Sequence, residues 1–195
     1  MEQKTYLKIP LERVGVLIGP KGRVKRRIET MFEVSMTVDS DSGSVEITLN
    51  PDAKDVTAAF TVKNIVRAIG RGFNPRRAER LVDEESDLIL IDLTDYVGRS
   101  RNAISRVKGR IIGKEGRSRK LLEELTGTAI SVYGHTVAVI GKIENLDVTR
   151  EAILMLVKGA FHKTVWNFLY SHRRKMKKER IELWEETQEP KTVLR

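Results

Sequence analysis

Two short loops of the form Gly-x-x-Gly contain residue types that could hold a nucleic-acid backbone. They are Gly19-Pro20-Lys21-Gly22 and Gly113-Lys114-Glu115-Gly116, and a basic stretch follows each of them. Glycine at both ends lets the backbone approach a sugar-phosphate chain closely, and entry into a helix N-terminus favours phosphate. A lone Gly-x-x-Gly carries little weight, because about one is expected by chance in a chain of this length.

The two loops belong to an internal repeat with an offset of 94 residues. Segment 15–38 aligns with 109–132 at seven identical positions of 24, where about one or two are expected at average composition. In both copies an aliphatic segment precedes the loop, a basic helix follows it, and two turn-linked strands come next. Because the duplication is in register, the two loops are better explained as a functional motif than as chance matches.

Hydrophobic periodicity predicts the order strand, helix, Gly-x-x-Gly, helix, strand, strand, helix in each copy. The last helix of each copy is predicted over 53–69 and 146–160, and a final helix over 162 to about 186. The predicted fold class is α+β, with two tandem three-stranded antiparallel sheets covered by helices and a basic C-terminal helix. The predicted divisions are a first domain 1–73, a connector helix 74–86, a second domain with its helical extension 87–186, and a flexible tail 187–195.

The net charge of +9 lies entirely in the second half of the chain. Residues 1–93 hold 15 basic and 15 acidic side chains, whereas 94–195 hold 21 and 12. Nine basic residues and one acid lie between 99 and 120, and a second basic run spans 173–178. A single basic run is more often a solvated helix face, but two in one half favour a polyanionic partner. The second copy is therefore predicted to be the main binding site.

In its order of elements and its duplicated loop the second copy resembles a KH domain, and this resemblance implies that the loop and the following helix clamp about four nucleotides of single-stranded RNA. An aliphatic groove and an exposed strand edge would then read the bases. The aromatic content of 6% disfavours domains that stack bases on exposed rings. The predicted RNA-binding residues are Arg101, Arg106, Lys108, Gly109, Arg110, Ile111, Ile112, Gly113, Lys114, Glu115, Gly116, Arg117, Arg119, Lys120, Ile130, Val132, Arg173 and Arg174. A possible second RNA site comprises Gly19, Pro20, Lys21, Gly22, Arg23 and Lys25.

Other functional classes find less support in the composition. The chain has no cysteine, and its three histidines stand at no metal-ligand spacing, so no metal, cofactor or catalytic residue is predicted. Two alternatives stay open, an interaction scaffold and a metal-dependent nuclease that uses Asp39, Asp41, Asp52 and Asp55. No window approaches the roughly 18 apolar residues of a membrane span, and the first residues do not resemble a signal peptide. We expect a cytoplasmic protein that binds neither membrane nor DNA.

Both copies resemble the type I KH domain. The connector Gly-Phe-Asn-Pro-Arg-Arg-Ala (72–78), the segment 108–117 and the closing segment 162–169 are together similar to archaeal members of a family of pre-ribosomal-RNA-processing KH proteins. The eukaryotic relatives are called Dim-two or partner of Nob-one.

The resemblance implies a ribosome biogenesis factor that binds near the 3′ end of 16S rRNA in the small subunit, chiefly through its second KH domain. It also implies cooperation with an rRNA-maturation endonuclease and, in archaea, with the alpha subunit of translation initiation factor two. Eukaryotic relatives tend to lose the first Gly-x-x-Gly, whereas Gly19 and Gly22 are present here. Whether the first domain binds RNA is therefore left open.

Overall fold

The computed structural model describes residues 4–53 and 55–188, which contain two three-stranded antiparallel sheets. The first unit and the connector comprise β1 (Lys4–Lys8), α1 (Leu11–Ile18), α2 (Arg23–Phe32), β2 (Val34–Val38), β3 (Ser44–Leu49), α3 (Ala58–Gly70), α4 (Pro75–Ala78) and a 3-10 turn (Glu79–Val82). The second unit comprises β4 (Ser86–Asp92), α5 (Thr94–Val97), α6 (Arg101–Ile112), α7 (Arg117–Thr126), β5 (Ala129–Tyr133), β6 (Thr136–Lys142), α8 (Ile143–Val157) and α9 (His162–Gln188).

The two sheets have the same topology, with strand orders β1-β3-β2 and β4-β6-β5. The last strand of each copy therefore lies in the centre of its sheet, and β2 and β5 each form an edge. The predicted α+β fold with two tandem three-stranded sheets is confirmed. The predicted boundaries fall between α3 and α4 and at the start of β4, and residues 189–195 of the predicted tail lie outside the described residues.

The outer faces of the two sheets have different environments. In β2, Val34 and Met36 are buried beneath the helices, whereas the alternate residues Ser35 and Thr37 are exposed. This alternation is typical of a sheet with one solvated face. In β6, by contrast, six successive residues from Thr136 to Gly141 are buried, so the second sheet is covered on both faces.

The first unit supplies the cover on the second sheet. Phe73 and Ala78 belong to the same hydrophobic core as Ala129, Ala138 and Ile140 of the second sheet. The two units thus share one continuous apolar interface, and burial of this surface fixes their relative orientation.

Polar contacts complete this interface near the end of β5. The Ser131 hydroxyl donates to the Arg71 carbonyl at 3.0 Å, and the Tyr133 hydroxyl donates to the Glu12 carboxylate. Burial and the nearby Glu12 carboxylate raise the pKa of Tyr133. Gly72 has a φ of +96°, and a Cβ there would lie 2.7 Å from Ser131 Oγ. Glycine is therefore required where the chain leaves α3.

The third helix of each copy differs from the prediction at its ends. Helix α3 begins at Ala58 rather than at residue 53. The Asp55 carboxylate accepts hydrogen bonds from the backbone N–H and the hydroxyl of Thr57, each at 2.7 Å, and these bonds fix a turn before the helix and lower the pKa of Asp55. Helix α8 ends at Val157, two residues before Gly159 adopts a φ of +97°.

Helix α9 is attached to the second unit by its first turns. Val165 and Leu169 are buried in the second core, and Trp166 and Phe168 pack against its margin. The His162 Nε2 atom lies 2.9 Å from the Arg110 carbonyl oxygen, so α9 starts beside the last turn of α6. Among the described residues, no helix is both long enough and apolar enough to cross a bilayer.

Candidate nucleic-acid interface

The two Gly-x-x-Gly loops have nearly the same backbone conformation. The first glycine has φ 70° and ψ 175° in Gly19 and φ 70° and ψ 176° in Gly113. The third residue of each loop is not glycine and yet has a left-handed backbone conformation, with a φ of 52° in Lys21 and 55° in Glu115. The two loops therefore differ in their side chains rather than in their path.

The first glycine of each loop is required by the close approach of the next helix. A Cβ at Gly19 would lie 2.4 Å from Val24 Cγ2, and one at Gly113 would lie 2.6 Å from Ser118 Cβ. The loop then enters α2 or α7, whose N-terminal amides can bind an anion. This geometry supports the predicted phosphate clamp.

The glycine one turn before each loop has no such packing reason. A Cβ at Gly15 or Gly109 would meet nothing within 4 Å. Glycine inside a helix costs about 0.5–1 kcal/mol relative to alanine. Gly109 is exposed and Ile112, one turn further on, is half-buried, so the two leave an open surface where a base can approach the helix.

Most of the predicted cations of the second copy face solvent. Arg101, Arg106, Lys114, Arg117 and Lys120 are exposed, and Lys108 is half-buried. One carboxylate lies among them: Glu115 pairs with Arg117 at 3.0 Å, where the two side chains are 66% and 76% exposed. Such an exposed pair is worth little, so Arg117 can exchange Glu115 for a phosphate.

Three predicted contact residues have internal roles instead. Ile111 and Ile130 have no exposed surface and lie in the second core, so they support the groove from below and contact no base. Arg110 donates to the Leu156 carbonyl at 3.1 Å and to the Ala160 carbonyl at 2.5 Å. These bonds hold the Arg110 side chain to the C-terminus of α8, so Arg110 has a structural role in place of the predicted RNA contact.

The open edge of β5 supplies the candidate base-reading groups. The Ile130 backbone N–H donates to the Glu123 carboxylate at 2.7 Å. Because successive residues of an antiparallel strand point their N–H and C=O groups to alternate sides, those of Val132 point to the same edge as those of Ile130. Val132 is half-buried at the margin of the second core, and it fits the predicted reading position.

Glu123 also receives a contact that the sequence did not reveal. Arg77, from the connector, forms an ion pair with the Glu123 carboxylate. Arg119, one turn before Glu123, has no ion pair among the described residues, and its buried Nε has no hydrogen-bond partner. Arg77 thus occupies the carboxylate that Arg119 could otherwise use, which leaves Arg119 available for phosphate.

In the first copy the corresponding groups interact with one another. Lys25 pairs with Glu29 at 3.7 Å, and Glu29 accepts the Met36 N–H at 2.8 Å. The Arg26 guanidinium folds over the loop and donates to the Lys21 carbonyl. Pro20 has no N–H to offer. Lys21 and Arg23 are the exposed cations of the predicted second site that make no ion pair in the described part of the chain.

The two predicted cations of α9 lie far along that helix. Arg173 and Arg174 are exposed and line a shallow cleft with Asn167, Tyr170 and Lys177. Arg173 follows His162 by eleven residues, which is about 16 Å along the axis. They are therefore separated from the turn of α9 that contacts α6 beside the second loop.

Two of the four aspartates of the nuclease alternative, Asp39 and Asp55, accept hydrogen bonds that hold local turns. The Asp39 carboxylate accepts hydrogen bonds from the Ser42 hydroxyl and the Asp41 N–H, and these bonds hold its pKa below the ordinary value. Asp55 is bonded to Thr57 in the same way. Among the described residues, no group of three or more His, Cys, Asp or Glu side chains could hold a metal ion.

The fold, the duplicated loop and the open edge strand define a tandem KH-domain protein of type I. Family comparison agrees, because residues 87–174 match the eukaryotic type KH-domain (KH-domain type I) of the PNO1 second-domain model, and residues 4–60 match the KH domain.

Three relatives indicate which family of tandem KH-domain proteins this chain resembles. A KH domain-containing protein of Methanocaldococcus jannaschii is 50% identical over 178 residues, which cover 91% of this chain and 78% of the relative. The pre-rRNA-processing protein PNO1 of Chaetomium thermophilum is 39% identical over 70% of this chain and 58% of its own length. The Dim2p chain in a crystal structure of an a/eIF2alpha-aDim2p-rRNA complex from Pyrococcus horikoshii is 42% identical, with a TM-score of 0.86 over 90% of this chain and 96% of that chain.

The chain therefore belongs to the PNO1/Dim2 family of KH-domain proteins, whose named members are RNA-binding and pre-rRNA-processing proteins. The family resemblance noted in the sequence is confirmed.

Proposed function

We propose that this chain is a single-stranded RNA-binding factor of small-subunit ribosome biogenesis. It binds near the 3′ end of 16S rRNA, mainly through the second KH domain, in the cytoplasm and without catalysing a reaction. The observation that carries the proposal is the second loop, whose phosphate-binding backbone is surrounded by exposed cations, and among the described residues only Arg117 of these forms an ion pair, with the exposed Glu115. The archaeal relative in complex with rRNA supports the same ligand.

The groove geometry requires unpaired nucleotides. Bases must be splayed out to meet the β5 edge, and a duplex presents neither its Watson–Crick edges nor the necessary backbone curvature. A short single strand should therefore bind at least about tenfold more tightly than a duplex of the same sequence, a difference of about 1.4 kcal/mol. A titration by fluorescence anisotropy at matched salt measures this ratio. Equal affinities would show that RNA binds to a general basic surface and not in the KH groove.

The rRNA region is tested in the native host. Crosslinking followed by sequencing should recover the 3′ end of 16S rRNA above other RNAs of similar abundance. Recovery of unrelated RNAs at equal frequency would contradict this assignment but would leave single-strand binding in place.

We also propose two protein partners, an rRNA-maturation endonuclease and the alpha subunit of translation initiation factor two. The second is supported by the Pyrococcus horikoshii complex, which contains a/eIF2alpha. Affinity capture of the tagged chain from its host, with and without ribonuclease, should recover the alpha subunit in both conditions. Loss of the subunit after ribonuclease treatment would mean that RNA bridges the two proteins.

A further inference from the structure

A cleft of about 420 Å³ lies at the junction of the connector and the second KH domain. Its connector side carries Arg76, Arg77 and Arg80, and its other side includes Gly127 and Thr128, which form the turn between α7 and β5. The Gly-x-x-Gly loop lies at the opposite end of α7. Since α7 has ten residues, the cleft is about 15 Å from the loop along that helix.

The cleft adjoins the start of β5, the strand that carries the candidate base-reading edge. Glu123 lines the cleft, pairs with Arg77, and accepts the Ile130 N–H at 2.7 Å. One carboxylate therefore contacts both the connector and β5. A strand of RNA that runs from the loop along α7 and β5 would reach this cleft next.

Two cations of the cleft are available to a ligand. Arg76 and Arg80 are exposed, and neither forms an ion pair within residues 4–53 and 55–188. Arg77 neutralises Glu123, and the exposed Glu124 remains as an opposing carboxylate. Three acids of the connector have other partners: Glu79 pairs with Arg27, Glu85 pairs with Lys142, and the Asp83 carboxylate accepts the Glu85 N–H in the turn before β4.

We propose that Arg76 and Arg80 bind the sugar-phosphate backbone of RNA that leaves the second groove at the turn between α7 and β5. The footprint of the second KH domain thereby extends onto the connector, beyond the four or so nucleotides of the groove. This inference rests on the proposed function. Arginine on a polar cleft suits phosphate, and the position of the cleft beside α7 and β5 of the second KH domain favours RNA over an acidic protein segment.

The test compares RNA length in two variants. One variant carries Arg76→Ala and Arg80→Ala, and the control carries Arg67→Ala and Arg150→Ala, which removes two exposed arginines from α3 and α8. Each full-length protein is titrated over a range of salt with the last five and the last twelve nucleotides of the host 16S rRNA. Circular dichroism confirms that both variants fold.

Removal of two phosphate contacts should reduce the magnitude of the negative slope of log K against log salt by about 1.4 for the twelve-nucleotide RNA, at about 0.7 per contact on a single strand. The five-nucleotide RNA and the control variant should keep the wild-type slope. An unchanged slope with the longer RNA would overturn the inference while RNA binding stands, and an equal loss with both RNAs would place the arginines inside the groove. If the wild-type chain bound neither RNA, the proposed function itself would fail.

Discussion

The two KH domains share one loop backbone but use their cations differently. Gly19 and Gly113 agree within a degree in φ and ψ, and both loops hold a left-handed side chain at the third position. In the first domain, Lys25 pairs with Glu29 and Arg26 folds onto the loop carbonyls. In the second domain, Glu123 pairs instead with Arg77 of the connector.

The difference shows that the motif alone does not determine binding capacity. A Gly-x-x-Gly loop provides the backbone for a phosphate clamp, and the cations that remain unpaired around it provide the charge. In this chain the connector supplies Arg77, which pairs with the Glu123 carboxylate beside the second groove. The connector can therefore support RNA binding by the second KH domain without holding RNA itself.

Among the variants that test this difference between the domains, we expect Arg77→Met to cause the largest loss of RNA affinity. Loss of the guanidinium should let Arg119 pair with Glu123, as Lys25 pairs with Glu29 in the first domain. A charged hydrogen bond contributes about 1.5–3 kcal/mol, so we expect RNA affinity to fall by about tenfold or more. Isothermal titration calorimetry with a short single strand measures the change.

The matched control is Arg27→Met, which removes the ion pair between Arg27 and Glu79, 3.0 Å apart with the arginine 61% exposed. That variant should bind RNA as the wild type does, because an exposed pair contributes little. Wild-type affinity in Arg77→Met would show that Arg119 does not depend on the connector.

Local signals were sufficient to predict the fold and the loops. The repeat between 15–38 and 109–132, the glycines and the alternating strands each depend on residues close in sequence. The positions of Lys114, Arg117 and Lys120 on an exposed surface follow from the same local pattern.

Long-range contacts account for what the sequence did not predict. Arg110 lies in a basic run, yet its guanidinium donates hydrogen bonds to carbonyl groups some fifty residues away in the sequence. Arg13 makes the equivalent contacts in the first copy, with the Ile69 and Phe73 carbonyls, but from a helix position that aligns with Val107. Arg77 stood beside an acidic segment and gave no sign of its partner Glu123. The three arginines of the connector stand among four acidic residues, so neither the charge of the connector nor the neutral total of residues 1–93 singled them out.

A smaller effect should distinguish the glycines that precede the two loops. Gly15→Ala and Gly109→Ala should each stabilise the fold by about 0.5–1 kcal/mol, since alanine is the better helix former and a Cβ meets nothing within 4 Å. A methyl group at 109 should obstruct the base and weaken RNA binding by about fivefold, or about 1 kcal/mol. Thermal unfolding and RNA titration of both variants provide the two readouts. Equal RNA affinity in the two variants would show that Gly109 does not line the RNA-binding groove.

The smallest effect is expected at the far end of α9. Replacing Arg173, Arg174 and Lys177 by glutamine should change the salt slope for a five-nucleotide RNA by less than about 0.7, the value of one phosphate contact. The reason is the distance of about 16 Å between Arg173 and the first turn of α9. If these three residues instead touched phosphates, as the sequence-based assignment of Arg173 and Arg174 implies, the magnitude of the slope should drop by about two units. A drop of that size would restore the sequence-based prediction for Arg173 and Arg174.

The central claim, that the second loop is the main RNA clamp, is tested most directly by matched loop variants. Lys114→Asp with Glu115→Asp and Pro20→Asp with Lys21→Asp each place two carboxylates in a loop whose glycines are kept. Aspartate tolerates the left-handed conformation at the third position, so both variants should fold, as circular dichroism can verify. We predict that the second-loop variant loses at least about tenfold in affinity for single-stranded RNA, a cost of about 1.4 kcal/mol, and that the first-loop variant loses less than about twofold. A larger loss in the first-loop variant, with both proteins folded, would contradict the assignment.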